Sequence, residues 1–482
     1  SILAQDIKQS LHVSDAQLGF LYGTAFAIFY SVFGIPLGRL ADRWFRGRLI
    51  AIGLAAWSAM TVASGLAMSY GQLIWARMGV GIGEASATPA AYSLLADHFP
   101  VRRRGFAIGI YSAGLLVGGG LSLPLGGWIA QSWSRTYAAG TAPFGLAGWQ
   151  AAFLGVGLPG LLLALWVLTL REPLRGASEG QSLPVGAPGG WRQFARELAA
   201  ILPPFTIWSV AQLPGALRPN LMLLAATAGA AALLAWVTGD VAQWLGLAAG
   251  IYAVASWTQT LRGTDRPTYA LLFGTRSVVL ALLAFGAISY ITYSITFWLP
   301  PYVMRTFGLR ADVAGLTLGI PGGFAGAVGV ALGGRLSDAW TRRDARGRIF
   351  VCMLSTILTA PLIVAALHAT DIRAVYLLSP LIVCSTQIWL GSAAATIQDC
   401  MLPRMRGTAG AVFLCALSIL GLGLGPYATG KLAVVAGSLK AGILSVLAIV
   451  PLALSLLWFA GRGIAAAEAT RSERARAAGE ND

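Results

Sequence analysis

Charge is scarce in this chain, and acid scarcer still: among 482 residues, 19 Asp and Glu face 34 Lys and Arg, and charged residues make up only 11%. Three histidines, His12, His98 and His368, are too scattered to form a metal or catalytic cluster. The four cysteines, Cys352, Cys384, Cys400 and Cys415, lie in or beside apolar segments without a CxxC spacing, which argues against a disulfide framework or a zinc site. No GxxxxGK[ST] stretch is present, so no phosphate-cradling ATP loop is indicated. Long alternation of apolar and polar residues is also missing, which excludes a membrane β-barrel. No nucleophile stands with a base or a metal cluster, so a membrane-embedded lipid-modifying enzyme has little to work with. No cofactor is implied.

What is abundant is apolar. Hydrophobic residues reach 56% and glycines number 60, more apolar surface than a soluble core of this length can bury. The apolar runs are close to 20 residues long, the length that crosses about 30 Å of hydrocarbon as a helix. An all-α, multi-pass membrane protein follows, placed in the cell membrane. The preference for Ala, Gly and Arg over Lys points to a GC-rich bacterium, and so to an inner membrane. The net charge of +15 belongs to arginines in short loops rather than to one continuous face, so nucleic acid is not the partner.

Thirteen spans are expected, at about 17–38, 49–69, 72–96, 105–131, 149–170, 220–238, 241–260, 275–303, 313–334, 349–368, 374–398, 407–433 and 439–460. Every second loop carries arginine: Arg43, Arg46 and Arg48; Arg102 to Arg104; Arg171 and Arg175; Arg342, Arg343, Arg346 and Arg348; Arg404 and Arg406. Basic loops stay cytoplasmic, which fixes the orientation. Four regions result: an N-terminal bundle over 1–175 with five visible spans, and a linker over 176–270 holding an amphipathic WRQFARELAAIL and two inserted spans. A six-span bundle over 271–461 and a solvated, frayed cytoplasmic tail over 462–482 complete the chain.

The two bundles repeat. Asp42 and Asp338 in GRLADRW and GRLSDAW are 296 apart, while Asp97, Arg104-Gly105 and Pro124 return 302 residues later as Asp399, Arg406-Gly407 and Pro426. Parallel repeats of six spans are a transporter architecture. The first repeat shows only five, and the segment matching Ser289 to Met304 would fall before Ser1, so a first helix is expected to be missing from the sequence as it stands.

At these residues the sequence resembles the major facilitator superfamily. GRLADRWFRGR is similar to its signature loop, GRLSDAWTRR to the weaker second copy, RMGVGIGEA to its fourth-helix motif and GLLVGGGLSLPLGG to its glycine-rich fifth helix. VSDAQLGFLYGTAFAIFYSVFGIPLGRLADR with RMGVGIGEASATPAAYSLLADHFP and RRRGFAIGIYSAG resembles the spinster-type transporters within it. The resemblance implies a major facilitator fold of two six-helix bundles, here with two extra central helices. It also implies alternating access without ATP, proton coupling, and a lipid-like amphiphilic substrate. A drug or organic-anion carrier is the alternative within the class, and a non-transporting receptor or the lipid-modifying enzyme the alternative outside it. Small amphiphilic or anionic molecules, protons and membrane lipids are the expected partners, and the working unit is expected to be a monomer.

Arg77 and Glu84 lie seven apart on one span, which turns about 700° and returns them to one face roughly 10 Å apart. Charges at that depth cost several kcal/mol unless paired or wet, so they commonly face a cavity and move ions or protons; a structural ion pair is the other reading. The spinster resemblance implies that Glu84 is the coupling carboxylate and Arg77 its charge partner. It also places Asp42, with Gly38 and Arg43, near the start of the span at Arg406-Gly407, and Asp338, with Gly334, near the start at Arg104-Gly105. Helix N-termini carry partial positive charge, so these carboxylates would latch the cytoplasmic side shut. Tyr22, Phe26, Tyr30, Tyr111, Tyr290, Tyr293, Trp298 and Trp389 are candidate cavity-lining aromatics, with ordinary packing as the competing reading.

Overall fold

The computed structural model describes residues 2–41, 44–99, 101–137, 141–173, 190–402 and 405–480, and every regular element among them is helical. A short helix α1 (Ala4–Leu11) precedes the first bundle: α2 (Asp15–Tyr22), α3 (Thr24–Ala41), α4 (Arg46–Gly65), α5 (Tyr70–Glu84), α6 (Ala87–His98), α7 (Val101–Thr136) and α8 (Gly148–Leu168). The linker holds α9 (Gly190–Ile201), α10 (Thr206–Ala211), α11 (Leu217–Thr238), α12 (Val241–Thr264) and α13 (Arg266–Leu272). The second bundle runs through α14 (Arg276–Phe307), α15 (Ala311–Ala314), α16 (Ile320–Thr341), α17 (Gly347–His368), α18 (Ile372–Gln387), α19 (Trp389–Asp399), α20 (Arg406–Ala416), α21 (Gly425–Val435), α22 (Leu439–Leu444), α23 (Ile449–Ala469) and α24 (Arg471–Ala477). Among the described residues, 10 helical segments are long and apolar enough to cross a membrane.

Local chemistry sets the ends. Ser14 and Gln17 form a reciprocal capping box that opens α2, with bonds of 2.8 and 3.2 Å. Gly239, at φ +79°, supplies the left-handed turn between α11 and α12. Several spans are broken rather than straight. α5 stops at Glu84 and α6 starts at Ala87, while α18 and α19 part at Ile388, at the 302-residue repeat of Ser86. The span opened by α20 winds into a π turn over Leu417–Leu422 before α21 begins. Such irregular turns are common at functional sites.

The bundles meet along their outer halves. A Cβ at Gly19 of α2 would lie 2.4 Å from the Pro426 carbonyl oxygen, and one at Gly120 of α7 would lie 2.6 Å from that of Gly319. Small residues let helices approach this closely in a membrane. At the inner ends, a Cβ added at Gly38, Gly334 or Gly407 would meet no described residue of the opposite bundle within 4 Å. The outer side is closed.

The C-terminal end differs from the frayed tail expected of it. α23 runs on to Ala469, α24 packs against α13, and Ala475 is fully buried. The Arg471 guanidinium donates to the Asp399 carbonyl at 2.6 Å, and Arg474 reaches Thr275. Polar composition suggested solvent; these arginines instead serve exposed helix ends of the second bundle.

Candidate transport site

α5 carries the two intramembrane charges, and glycine packing positions it. A Cβ at Gly81 would strike the Phe26 carbonyl at 2.6 Å, so α5 lies directly against α3. At Gly83 and Gly53, α5 and α4 cross too closely for a side chain, a Cβ on either falling 2.8 to 2.9 Å from the other's carbonyl oxygen, and Ser86 bonds back to the Gly83 carbonyl at 2.9 Å. The crossing coincides with the break that ends α5. Glu84 is therefore the last residue of a helix, at mid-span, and it is exposed.

Arg77 is half-buried, with its guanidinium 5.6 Å from the centre of the Phe26 ring. A cation over an aromatic face is partly compensated for lost water. Phe26 in turn stacks on Tyr30 at 5.4 Å. Neither Arg77 nor Glu84 forms a salt bridge within 4.0 Å among the described residues. They act on each other through space, and Tyr22, Tyr30 and Tyr293 lie within coulombic reach of Glu84. Tyr111 is within similar reach of Tyr30. Tyr22, Phe26, Tyr30, Tyr111 and Tyr293 are all half-buried, which suits walls of an accessible space. Tyr22 stacks on Phe297 with centroids 4.3 Å apart, closing this space between α2 and α14.

Three of the named aromatics pack instead. Trp298 is fully buried and donates its indole N–H to the Pro426 carbonyl at 2.8 Å. Trp389 is buried, bonds the Thr386 carbonyl at 2.8 Å and stacks near Phe285. Tyr290 lies in the same outer core as Trp298. Each indole N–H serves a carbonyl beside a helix break, so these rings hold the bends of the second bundle rather than line open space.

Of the cytoplasmic gate residues, Asp42 and Arg43 lie outside the described residues, as does the side chain of Arg104. Arg406 opens α20 and is exposed, and Asp338 is exposed with no partner for its carboxylate among the described residues. In the second loop it is Asp344 that is tied down: two bonds from the Arg346 guanidinium hold its carboxyl below the usual carboxylate range.

Other charged residues matter more than their loops suggested. Arg46 is almost wholly buried, donating to Glu172 at 2.8 Å and to Ser93 at 3.0 and 3.1 Å. Its counterpart 302 residues on, Arg348, pairs with Asp399. On the outer side Arg305 grips Asp15 through both oxygens at 2.7 and 2.8 Å, Lys8 adds a third bond at 2.8 Å, and Arg135 meets Asp312 at 3.2 Å. The available signal was a basic residue, Arg305, just past the expected span at 275–303, in a loop that orientation leaves outside and poor in positive charge.

Two repeated bundles, broken inner helices and glycine seams at the outer side agree with what family comparison finds: the sequence profile described as Major Facilitator Superfamily matches residues 1–426. The chain belongs to the Major Facilitator Superfamily. It is a multi-pass membrane transporter. An MFS-type efflux pump of Mycolicibacterium smegmatis is 29% identical over 432 residues, 90% of this chain and 79% of that protein. Human protein spinster homolog 1 is 33% identical over 223 residues, 44% of this chain and 39% of that protein. The structure is similar to a crystal structure of a bacterial homologue of the human lysosomal transporter Spinster, in an inward-facing and unoccupied conformation. The TM-score is 0.64 at 25% identity, covering 98% of this chain and 93% of that one. As a superfamily member this chain works by alternating access, and its closed outer side is the inward-facing arrangement of that cycle.

Proposed function

We propose that the chain is a proton-coupled carrier of a lipid-like, amphiphilic substrate, in which Glu84 takes and releases the proton and Arg77 is its charge partner. One observation carries the reading: Glu84 ends a broken helix in mid-span, exposed, without a salt-bridge partner among the described residues, and ringed by half-buried tyrosines. A carboxylate kept only for structure would be expected to hold its arginine directly, as Glu172 holds Arg46. Adding or removing a proton changes the charge of this space by one unit. A site whose charge is tolerated differently in the two conformations biases the equilibrium between them. The aromatic walls supply apolar area and hydroxyls together, which suits a molecule with an acyl chain and a polar head.

Arg77 favours a second reading. Its guanidinium is half-buried and only loosely engaged, so an organic anion or anionic drug could pair with it. Liposomes under an imposed pH gradient, offered lysolipids, drugs and organic acids, separate the two. Gradient-driven uptake of lysolipids supports the first; uptake confined to organic acids supports the second; flux of every substrate that is indifferent to the gradient contradicts proton coupling.

A further inference from the structure

The inserted hairpin α11–α12 has no counterpart in the six-span repeat, and its position says what it does. Its two helices are joined into one unit by a buried amide. Asn220 on α11 donates to Ser256 and Gln259 on α12, both at 2.9 Å, and accepts from the Tyr252 hydroxyl at 2.7 Å. α11 otherwise faces lipid, while α12 lies across the seam between the two bundles. Toward the first bundle its contact is mostly apolar, Gly246 and Gly250 backing onto Ile28 of α3, with one hydrogen bond from Thr24 of α3 to Gln243. Across the seam the contacts at its outer end are polar. Asp240 pairs with Lys431 of α21 at 2.7 Å and accepts from the Tyr427 hydroxyl at 2.8 Å. Beside them Gln243, almost fully buried, donates to the Gly423 carbonyl at 3.3 Å and meets the Thr24 hydroxyl at 2.6 Å, and Thr24 also reaches that carbonyl.

Gly423 sits where the π turn ends and α21 begins, so its carbonyl depends on side chains from outside the helix. Directly opposite, the chain breaks between α2 and α3 at Gly23, where a Cβ would fall 2.2 Å from the Leu422 carbonyl. Both gate helices are thus bent at one point, and α12 covers it. When the bundles rock, a helix touching both cannot keep both sets of contacts. The apolar set gains nothing from water, whereas the Asp240 pair and the Gly423 carbonyl can exchange their partners for water as the outer side opens. We propose that the inserted hairpin is an outer latch: it stays packed on α3, and its Asp240–Lys431 and Gln243–Gly423 contacts hold the outer side closed in the inward-facing state. The inference rests on alternating access alone and does not need Glu84 to carry a proton.

Spin labels at Met68→Cys and Val435→Cys, both highly exposed near the outer ends of the two bundles, read the gate as a distance distribution in nanodiscs, with Cys384→Ser removing the one native thiol that is not buried. Gln243→Leu keeps the volume and removes both polar contacts; Asp240→Lys and Lys431→Asp each turn the pair into a repulsion. Each is expected to raise the ratio of outer-open to outer-closed protein about three- to tenfold. The double exchange Asp240→Lys with Lys431→Asp is expected to return the ratio to within about twofold of the parent. Unchanged distributions in the two charge variants would overturn the latch. So would a double exchange that stays as open as the singles, since the shift would then come from disturbed packing. Should Gln243→Leu not fold, the charge exchange alone decides.

Discussion

Asp15 and Arg305 face each other across the outer seam, both carboxylate oxygens held by one guanidinium at 2.7 and 2.8 Å. They stand on α2 and α14, in different bundles, so the pair exists only while the outer side is shut. Asp15 is 6% exposed, which shields the pair from the screening that makes surface ion pairs weak.

Asp15→Asn should therefore favour outward opening. A charged, bidentate hydrogen bond of this kind is worth about 1.5 to 3 kcal/mol, enough to shift the open fraction roughly tenfold or more. Labels on the outer ends of the bundles should show the longer distance gaining population. The inner distances should shorten in step, because the two sides alternate. If the outer distances stay as in wild type, the pair is a local fastening and not a gate.

Arg46 and Glu172 set a different expectation. The Glu172 carboxylate accepts from the Arg46 and Gly47 backbone N–H groups at 3.2 and 2.8 Å as well as from the guanidinium, so it caps the start of α4 from far along the chain. Removing one member leaves a buried charge without its partner, at a cost of about 3 to 5 kcal/mol. Glu172→Ala should lower the unfolding temperature in detergent by several degrees. Transport should fall with the amount of folded protein while turnover per molecule holds. A variant as stable as wild type but slow in turnover would place Glu172 in the transport cycle instead.

The spans were legible in the sequence because a bilayer demands one thing, apolar length, and arginine counting then fixed their direction. The breaks were legible only in part. In ARMGVGIGEASATP, Pro89 has no N–H for the Ala85 carbonyl and so marks a break beside the end of α5, but the close crossing with Gly53 of α4 at that point is a tertiary contact no local pattern reports. Aromatics in a span read alike whether they wall a cavity or fill a joint, which is why Trp298 and Trp389 stood beside Tyr22 and Tyr30 until burial separated them. Arg46 looked like one more loop arginine, since charge counting fixes the side of the membrane and is blind to depth. The inserted spans were visible as spans, but periodicity does not name a neighbour, so their place across the seam could come only from the fold.

The cytoplasmic latch remains a proposal on Asp42 and Asp338. At the start of α20, Arg406 and Gly407 are both exposed in this inward-facing arrangement, where a carboxylate can reach them. A carboxylate facing a helix N-terminus contributes about 0.3 to 2 kcal/mol. Asp42→Asn should reduce the outward-facing population several-fold, and Asp338→Asn less, read by label distances near Arg48 and Arg346 on the inner face. Equal, null effects from both would leave the two loops as local caps.

The most direct test of the whole account is proton-driven accumulation by Glu84→Gln compared with wild type, in the same liposomes and with the same substrate. The substitution keeps the size and the hydrogen-bonding shape of the side chain and removes only its ability to change charge. Wild type should concentrate substrate when a pH gradient is imposed. Glu84→Gln should lose that accumulation, by roughly tenfold or more, and still exchange labelled for unlabelled substrate across a membrane with no gradient, because alternating access itself is intact. A Glu84→Gln protein that accumulates substrate as wild type does would contradict the assignment of the proton to Glu84.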